Sequence, residues 1–255
     1  MTRYTLILST VASLMAGASY AEPVRIATEG AFPPFNFVDA SGALQGFEVD
    51  LANAICAEAK LECTLSAQQF DGLIPGLQAD KFDVIMASMN ITDDRLKVIS
   101  FTDPYYRVPQ RFVAKKDSGI EMTKEGVTGK TIGVVSGTIH ENYVNATYGD
   151  VATVSTYQTL PDALRDLEAG RIDLYIDGEL TISESFLKQP EGKDFAFVGD
   201  SLSDPAFFGI GVGAGVRQED SALKGTLNAA IKAVRANGTY DTIQAKYFDT
   251  DIFPK

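Results

Sequence analysis

The 255-residue chain has no tryptophan, a single histidine (His140) and two cysteines (Cys56 and Cys63). So few soft ligands, with His140 far along the chain from the cysteines, argue against a zinc site. There is no Gly-rich phosphate loop and no Ser-centred elbow. The usual phosphoryl- and acyl-transfer constellations are therefore missing, and neither a cofactor nor a metal is expected. Basic residues are also scarce: 22 Lys and Arg against 34 Asp and Glu give a net charge of -12. Such a surface repels phosphate backbones and argues against nucleic acid as a partner. Nor is there an apolar run of the roughly 18 to 20 residues that would span a bilayer.

The longest apolar stretch, from about Leu6 to Met15, is informative by its position. Arg3 precedes it and the small-residue run Ser19, Tyr20, Ala21 follows, which is the pattern of a secretory signal peptide cut after Ala21. No cysteine follows that site to carry a lipid anchor. An exported, soluble protein of the bacterial periplasm is expected. Removing residues 1–21 takes away Arg3 and leaves the rest still more acidic. In an oxidising compartment Cys56 and Cys63 are expected to pair and pin a helix end, with metal binding the weaker alternative.

Short apolar segments alternate with amphipathic ones: "VRIATEG", "GFEVDLANAICAEAK", "CTLSAQ", "LIPGLQAD", "DVIMASM". This rhythm predicts an α/β fold with largely parallel sheets. It restarts at "TIGVVSGT", "VATVSTY" and "LPDALRDLEAG", and "LQADKFDVIM" (77–86) is echoed by "LEAGRIDLYI" (167–176). Two similar lobes explain the echo. The tail predicts two helices broken at Asn237 and Gly238. Ligands of open α/β sheets bind beyond the carboxyl ends of strands. That rule selects Glu29–Phe32, Ala87–Asn90, Thr138–His140 and Asp177–Glu179 for closer attention.

Within "MNITDDRLKV", Thr92 can cap a helix that begins with Asp93 and Asp94 and carries Arg95 in its first turn. A cation there opposes the helix dipole at a cost on the order of 0.3 to 1 kcal/mol. Either Arg95 awaits an anionic ligand group, or it pairs with a neighbouring aspartate. Thr138 and Glu141 have capping-box spacing, and a capped helix start can still offer amides to a carboxylate. Glu29 with Phe32 and Phe70 would suit a cation, through charge and cation–π stacking. Taken singly, Phe70 reads as a core aromatic, Glu29 as an exposed turn and His140 as a surface residue.

The motif "GFEVDLANAICAEA" (46–59) resembles the signature of the family 3 extracellular solute-binding proteins. "FTDPYY", "GTIHE", "EAGRIDLYI" and "ANGTYDTIQAKYF" extend the likeness over the whole mature chain. The resemblance implies a two-lobed type II periplasmic binding protein: α/β lobes joined by two crossovers that close on a ligand. After the signal peptide (1–21), lobe one is expected at 22–111 and 208–255 and lobe two at 112–207. It also implies a monomer that delivers a small amino acid or derivative to an inner-membrane ABC permease and does no catalysis. Periplasmic cyclohexadienyl dehydratases, which share the fold, stand as the weaker enzymatic alternative.

Position by position, the family pattern gives Arg95, Ser88 and the amides of Thr138 and Ile139 to a ligand α-carboxylate. Phe32 and Phe70 would sandwich the side chain, and Glu29 would read a distal cation while Pro33 and Pro34 stiffen its loop. Ala87, Asn90, His140 and Asp177 complete the expected site, and Cys56 and Cys63 match the disulfide spacing of the histidine and lysine/arginine/ornithine receptors. The acid that meets the α-ammonium in basic amino-acid receptors falls here on Gly178, between Asp177 and Glu179. A cationic amino acid such as arginine, ornithine or lysine is the first expectation. An opine of the octopine or nopaline kind, whose amine is substituted, is the second.

Overall fold

A computed structural model describes residues 22–254; the expected signal peptide, 1–21, lies outside the described residues. From the amino end the elements are β1 (Val24–Thr28), β2 (Ala31–Phe32), β3 (Asn36–Val38), β4 (Leu44–Gln45), α1 (Phe47–Ala59), β5 (Cys63–Ala67) and α2 (Leu73–Gln78). Next come β6 (Val84–Ile85), α3 (Asp93–Leu96), β7 (Ser100–Phe101), β8 (Gln110–Lys115), α4 (Lys124–Val127), β9 (Thr131–Val135), α5 (Ile139–Tyr148) and β10 (Thr153–Tyr157). The chain ends with α6 (Leu160–Glu168), β11 (Leu174–Gly178), α7 (Glu179–Ile182), β12 (Phe195–Leu202), α8 (Pro205–Phe208), β13 (Gly215–Val216), α9 (Ser221–Ala236) and α10 (Thr239–Gln244).

Two five-stranded sheets carry these elements, in the orders β5-β1-β6-β13-β7 and β10-β9-β11-β8-β12. In each, the first three strands are parallel and the fourth runs antiparallel to both of its neighbours. The sheets are therefore topological copies, β6 matching β11, which is the echo heard in the sequence. The fourth strand of each sheet is reached by a segment that crosses from the other: β8 follows β7, and β13 follows β12.

Helix α1 starts at Gly46, whose φ of 122° only glycine adopts comfortably and where a Cβ would sit 2.4 Å from the Phe35 carbonyl oxygen. Its apolar face, Phe47, Leu51, Ala52 and Ile55, packs with Leu227, Ile231 and Val234 of α9 into the first lobe's core. Cys56 and Cys63 form a disulfide that ties the end of α1 to the start of β5, so neither cysteine is free for metal. The predicted tail break holds, with α9 stopping at Asn237 and Gly238 in the left-handed region.

One buried acid organises the first lobe's rim. Glu48, on the apolar face of α1, accepts hydrogen bonds from Asn36 Nδ2 (2.8 Å), the Ser88 amide (2.8 Å), Ser88 Oγ (2.8 Å) and Tyr105 Oη (2.6 Å). Asn36 in turn accepts from the Gly30 amide at 2.8 Å, and Ser88 is held at φ 55°. Burial pushes the Glu48 carboxyl above its ordinary range, and the four donors oppose that shift. Glu48→Gln is expected to cost roughly 1–3 kcal/mol in urea unfolding with an unchanged m-value; a cost below about 0.5 kcal/mol would show that the hub is dispensable.

Candidate functional site

The strand ends that match between the two sheets converge on one cavity, whose space together with the adjoining solvent is about 370 Å³. Glu29 and Phe32 follow β1, Ala87, Ser88 and Asn90 follow β6, Thr138, Ile139 and His140 follow β9, and Asp177 lies in β11. Phe70 and Arg95 complete the eleven expected residues, and all eleven line this space. Val135, at the end of β9, is a twelfth that sequence reasoning passed over as strand core.

One end of the cavity is cationic. Thr92 caps α3 by accepting from the Arg95 amide, as its sequence predicts. The Arg95 guanidinium donates to the carbonyls of Asn90 (2.9 Å) and Gly137 (3.2 Å) and lies 5.5 Å from the centre of the Phe70 ring. Asp94 pairs instead with Lys97 at 2.6 Å, so the local pairing considered for Arg95 does not form. Among the described residues Arg95 has no carboxylate partner. Burial lowers its pKa to about 10, which leaves it fully charged at neutral pH. Thr138 caps α5 through the Glu141 amide, but Glu141 answers the Gly137 amide (2.7 Å), one residue before the usual capping-box position.

The other end is anionic. Glu29 is buried rather than exposed in its turn, and its Oε1 has no hydrogen-bond partner. Desolvation, then the charges of Asp177 and Glu48, raise its pKa to about 8. Asp177, also buried, accepts from Tyr175 Oη (2.6 Å) and the Gly178 amide (2.7 Å), and burial likewise raises its pKa. Glu179 points elsewhere and pairs with Arg111 at 3.1 Å. Gly178 does not line the cavity: a Cβ there would meet Val108 at 3.2 Å and Thr181 at 3.3 Å.

The remaining residues serve two surfaces at once. Phe70 is both cavity wall and core, packed with Leu73 and Leu77. Phe32 stacks on Phe35 at 5.8 Å and packs against the cores of both lobes. The Asn90 amide is spent on the Phe208 carbonyl at 3.1 Å, which ties this loop to the returning crossover. His140 is buried, not at the surface, because its Nε2 meets Gln110 Oε1 at 2.8 Å. The Arg95–Gly137 and Phe32 contacts span the two lobes, so the lobes stand closed.

The residues missed outright are the ones behind the wall. Glu48 could have been found: it shares the i, i+3, i+4, i+7 face with Leu51, Ala52 and Ile55, where an acid requires buried donors. Gln110 and Tyr175 sit in strands whose pairing the sequence does not display.

The family description "bacterial extracellular solute-binding proteins, family 3" matches residues 24–250. The chain belongs to this family. Among family 3 relatives, an L-arginine-binding protein of Pseudomonas aeruginosa is 44% identical over 91% of this chain and 90% of its own. The lysine/arginine/ornithine-binding periplasmic protein of Escherichia coli is 41% identical over 99% of both chains. Among solved structures, a Salmonella typhimurium periplasmic binding protein of high arginine specificity superposes with a TM-score of 0.82 at 34% identity, over 89% of this chain and all of that one.

Glu29 gives the closed, ligand-free protein a defined pH response. Its raised pKa contributes stability that is complete below its unfolded pKa, near 4.5, and is lost as pH rises through about 8. The melting temperature of ligand-free protein is expected to fall across that window and to flatten in Glu29→Gln. An unchanged profile in the variant would assign the titration elsewhere.

Proposed function

We propose that the protein is the periplasmic receptor of an ABC importer that captures arginine or a closely similar cationic α-amino acid and presents it to the membrane permease. The observation that carries this reading is the polarity of the cavity, with a half-buried guanidinium lacking a carboxylate at one end and a buried carboxylate lacking a cation at the other. Each unsatisfied charge costs stability unless something pairs with it. A zwitterionic amino acid with a basic side chain pairs with both. Arg95, Ser88 and the start of α5 would hold the α-carboxylate, Asp177 the α-ammonium, and Glu29 the distal cation between Phe32 and Phe70.

The names of these relatives, an L-arginine-binding protein and a lysine/arginine/ornithine-binding periplasmic protein, support the ligand class and capture without turnover. The opine alternative is not favoured: the named relatives bind arginine, lysine, ornithine or histidine, and Gly178 is packed against Val108 and Thr181. In this reading the receptor is a monomer whose lobes, 22–111 with 208–255 and 112–207, close about the two crossovers. Closure is a population shift driven by the ligand.

Calorimetric titration of refolded, ligand-free protein against arginine, ornithine, lysine, histidine, glutamine, octopine and nopaline tests the proposal. Sub-micromolar binding, on the order of -8 kcal/mol or better, is expected for arginine, ornithine or lysine. Binding of opines alone, or silence across the panel, would overturn it. Arg95→Ala should weaken every α-carboxylate ligand by roughly 2–5 kcal/mol. Glu29→Gln should weaken cationic ligands and spare glutamine; equal loss for both kinds would remove Glu29 from its assigned role.

A further inference from the structure

His140 contributes a ring whose chemistry is fixed by its neighbour. Gln110 Nε2 donates to the Val108 carbonyl at 2.7 Å. The amide cannot be turned round without setting its oxygen against that carbonyl, so Oε1 must face His140. The contact between Gln110 Oε1 and His140 Nε2 is 2.8 Å, and an amide oxygen only accepts. His140 Nε2 therefore carries the proton. Both residues are buried, at 3% and 7% exposure, so water does not compete for this bond.

The second nitrogen is then decided by charge. His140 is enclosed with Asp177, which favours an imidazolium, and Arg95, which opposes it, while burial disfavours the charged ring most of all. A neutral ring with its proton on Nε2 leaves Nδ1 as a bare acceptor. Among the described residues Nδ1 has no hydrogen-bond partner, and the ring lines the cavity. The cavity thus offers two free acceptors from different lobes, Glu29 Oε1 after β1 and His140 Nδ1 in the first turn of α5, while Asp177 already accepts two bonds.

From this arrangement, and resting on the proposed capture of a cationic amino acid, we infer that Gln110 and His140 select a guanidinium over an ammonium. A planar guanidinium carries five N–H groups in a fork and can donate to two separated acceptors at once. An ammonium carries its three donors on one nitrogen and serves only acceptors that converge on that point. Gln110 is the positioning residue, because it acts only through the tautomer of His140. The ligand class is narrowed to arginine and its guanidino analogues, ahead of lysine and ornithine.

Because His140 is the only histidine in the chain, ¹⁵N-histidine labelling yields a single imidazole pair without assignment. Long-range proton–nitrogen spectra of refolded, ligand-free protein at neutral pH are expected to show the neutral Nε2–H tautomer. Arginine should move the Nδ1 resonance upfield, as for an acceptor that gains a bond, while lysine leaves it nearer the free position. The Nδ1–H tautomer, an imidazolium, or an Nδ1 resonance indifferent to saturating arginine would each overturn the inference while leaving cation capture intact.

Titrations of Gln110→Met and His140→Leu supply the functional arm. Each should reduce the ratio of arginine to lysine affinity about tenfold, the value of roughly one hydrogen bond. His140→Gln, which can restore an acceptor, should recover part of the preference. Equal weakening of both ligands would mark the pair as merely structural and overturn the selection. Failure of the unaltered protein to bind any cationic amino acid would instead remove the receptor reading, and this inference with it.

Discussion

The first lobe's half of the cavity hangs from the carboxylate of Glu48. Four donors reach it, two of them from Ser88, and they come from three separate segments of the chain. Through Asn36 it sets the turn after Glu29, through Ser88 it sets the loop after β6, and through Tyr105 it meets the segment that leaves for the second lobe. An acid inside a hydrophobic core is costly unless such bonds are complete. Here completeness is what gives the rim one conformation, and a rim with one conformation loses little entropy when a ligand arrives.

Polarity then links that rim to movement. Glu29 belongs to one lobe and Asp177 to the other, and closure brings their charges into one low-dielectric space. Without a cation the closed form is burdened by their repulsion, which a proton on Glu29 can relieve. A basic side chain between them removes the burden without the proton. At the opposite end Arg95 already bonds the carbonyl of Gly137 across the divide, so an anionic group there adds to an existing bridge.

Much of this was readable in advance, and the reasons differ by residue. The alternation of elements and the echo between 77–86 and 167–176 report the two copied sheets because hydrophobic periodicity is local. Thr92 and Thr138 announced their caps because capping needs only three or four consecutive residues. The cavity residues were found by a rule of position, strand ends, joined to a family resemblance. What stayed hidden depends on long-range pairing. That Asp177, and not Glu179, lines the cavity follows from where β11 ends: Glu179 already opens α7 and turns to Arg111. That His140 is buried follows from Gln110, thirty positions away at the start of β8.

The exchange of fourth strands has a consequence for how the protein can be made. The sheet begun by β1 is completed only by β13, and its core needs α9, near the end of the chain. A nascent amino-terminal segment therefore cannot bury its own apolar face, however long it waits, and the usual order of lobes folding as they emerge is unavailable to it. The intervening lobe has all five of its strands in one continuous stretch and can precede it. Assembly from the middle outward is built into the connectivity.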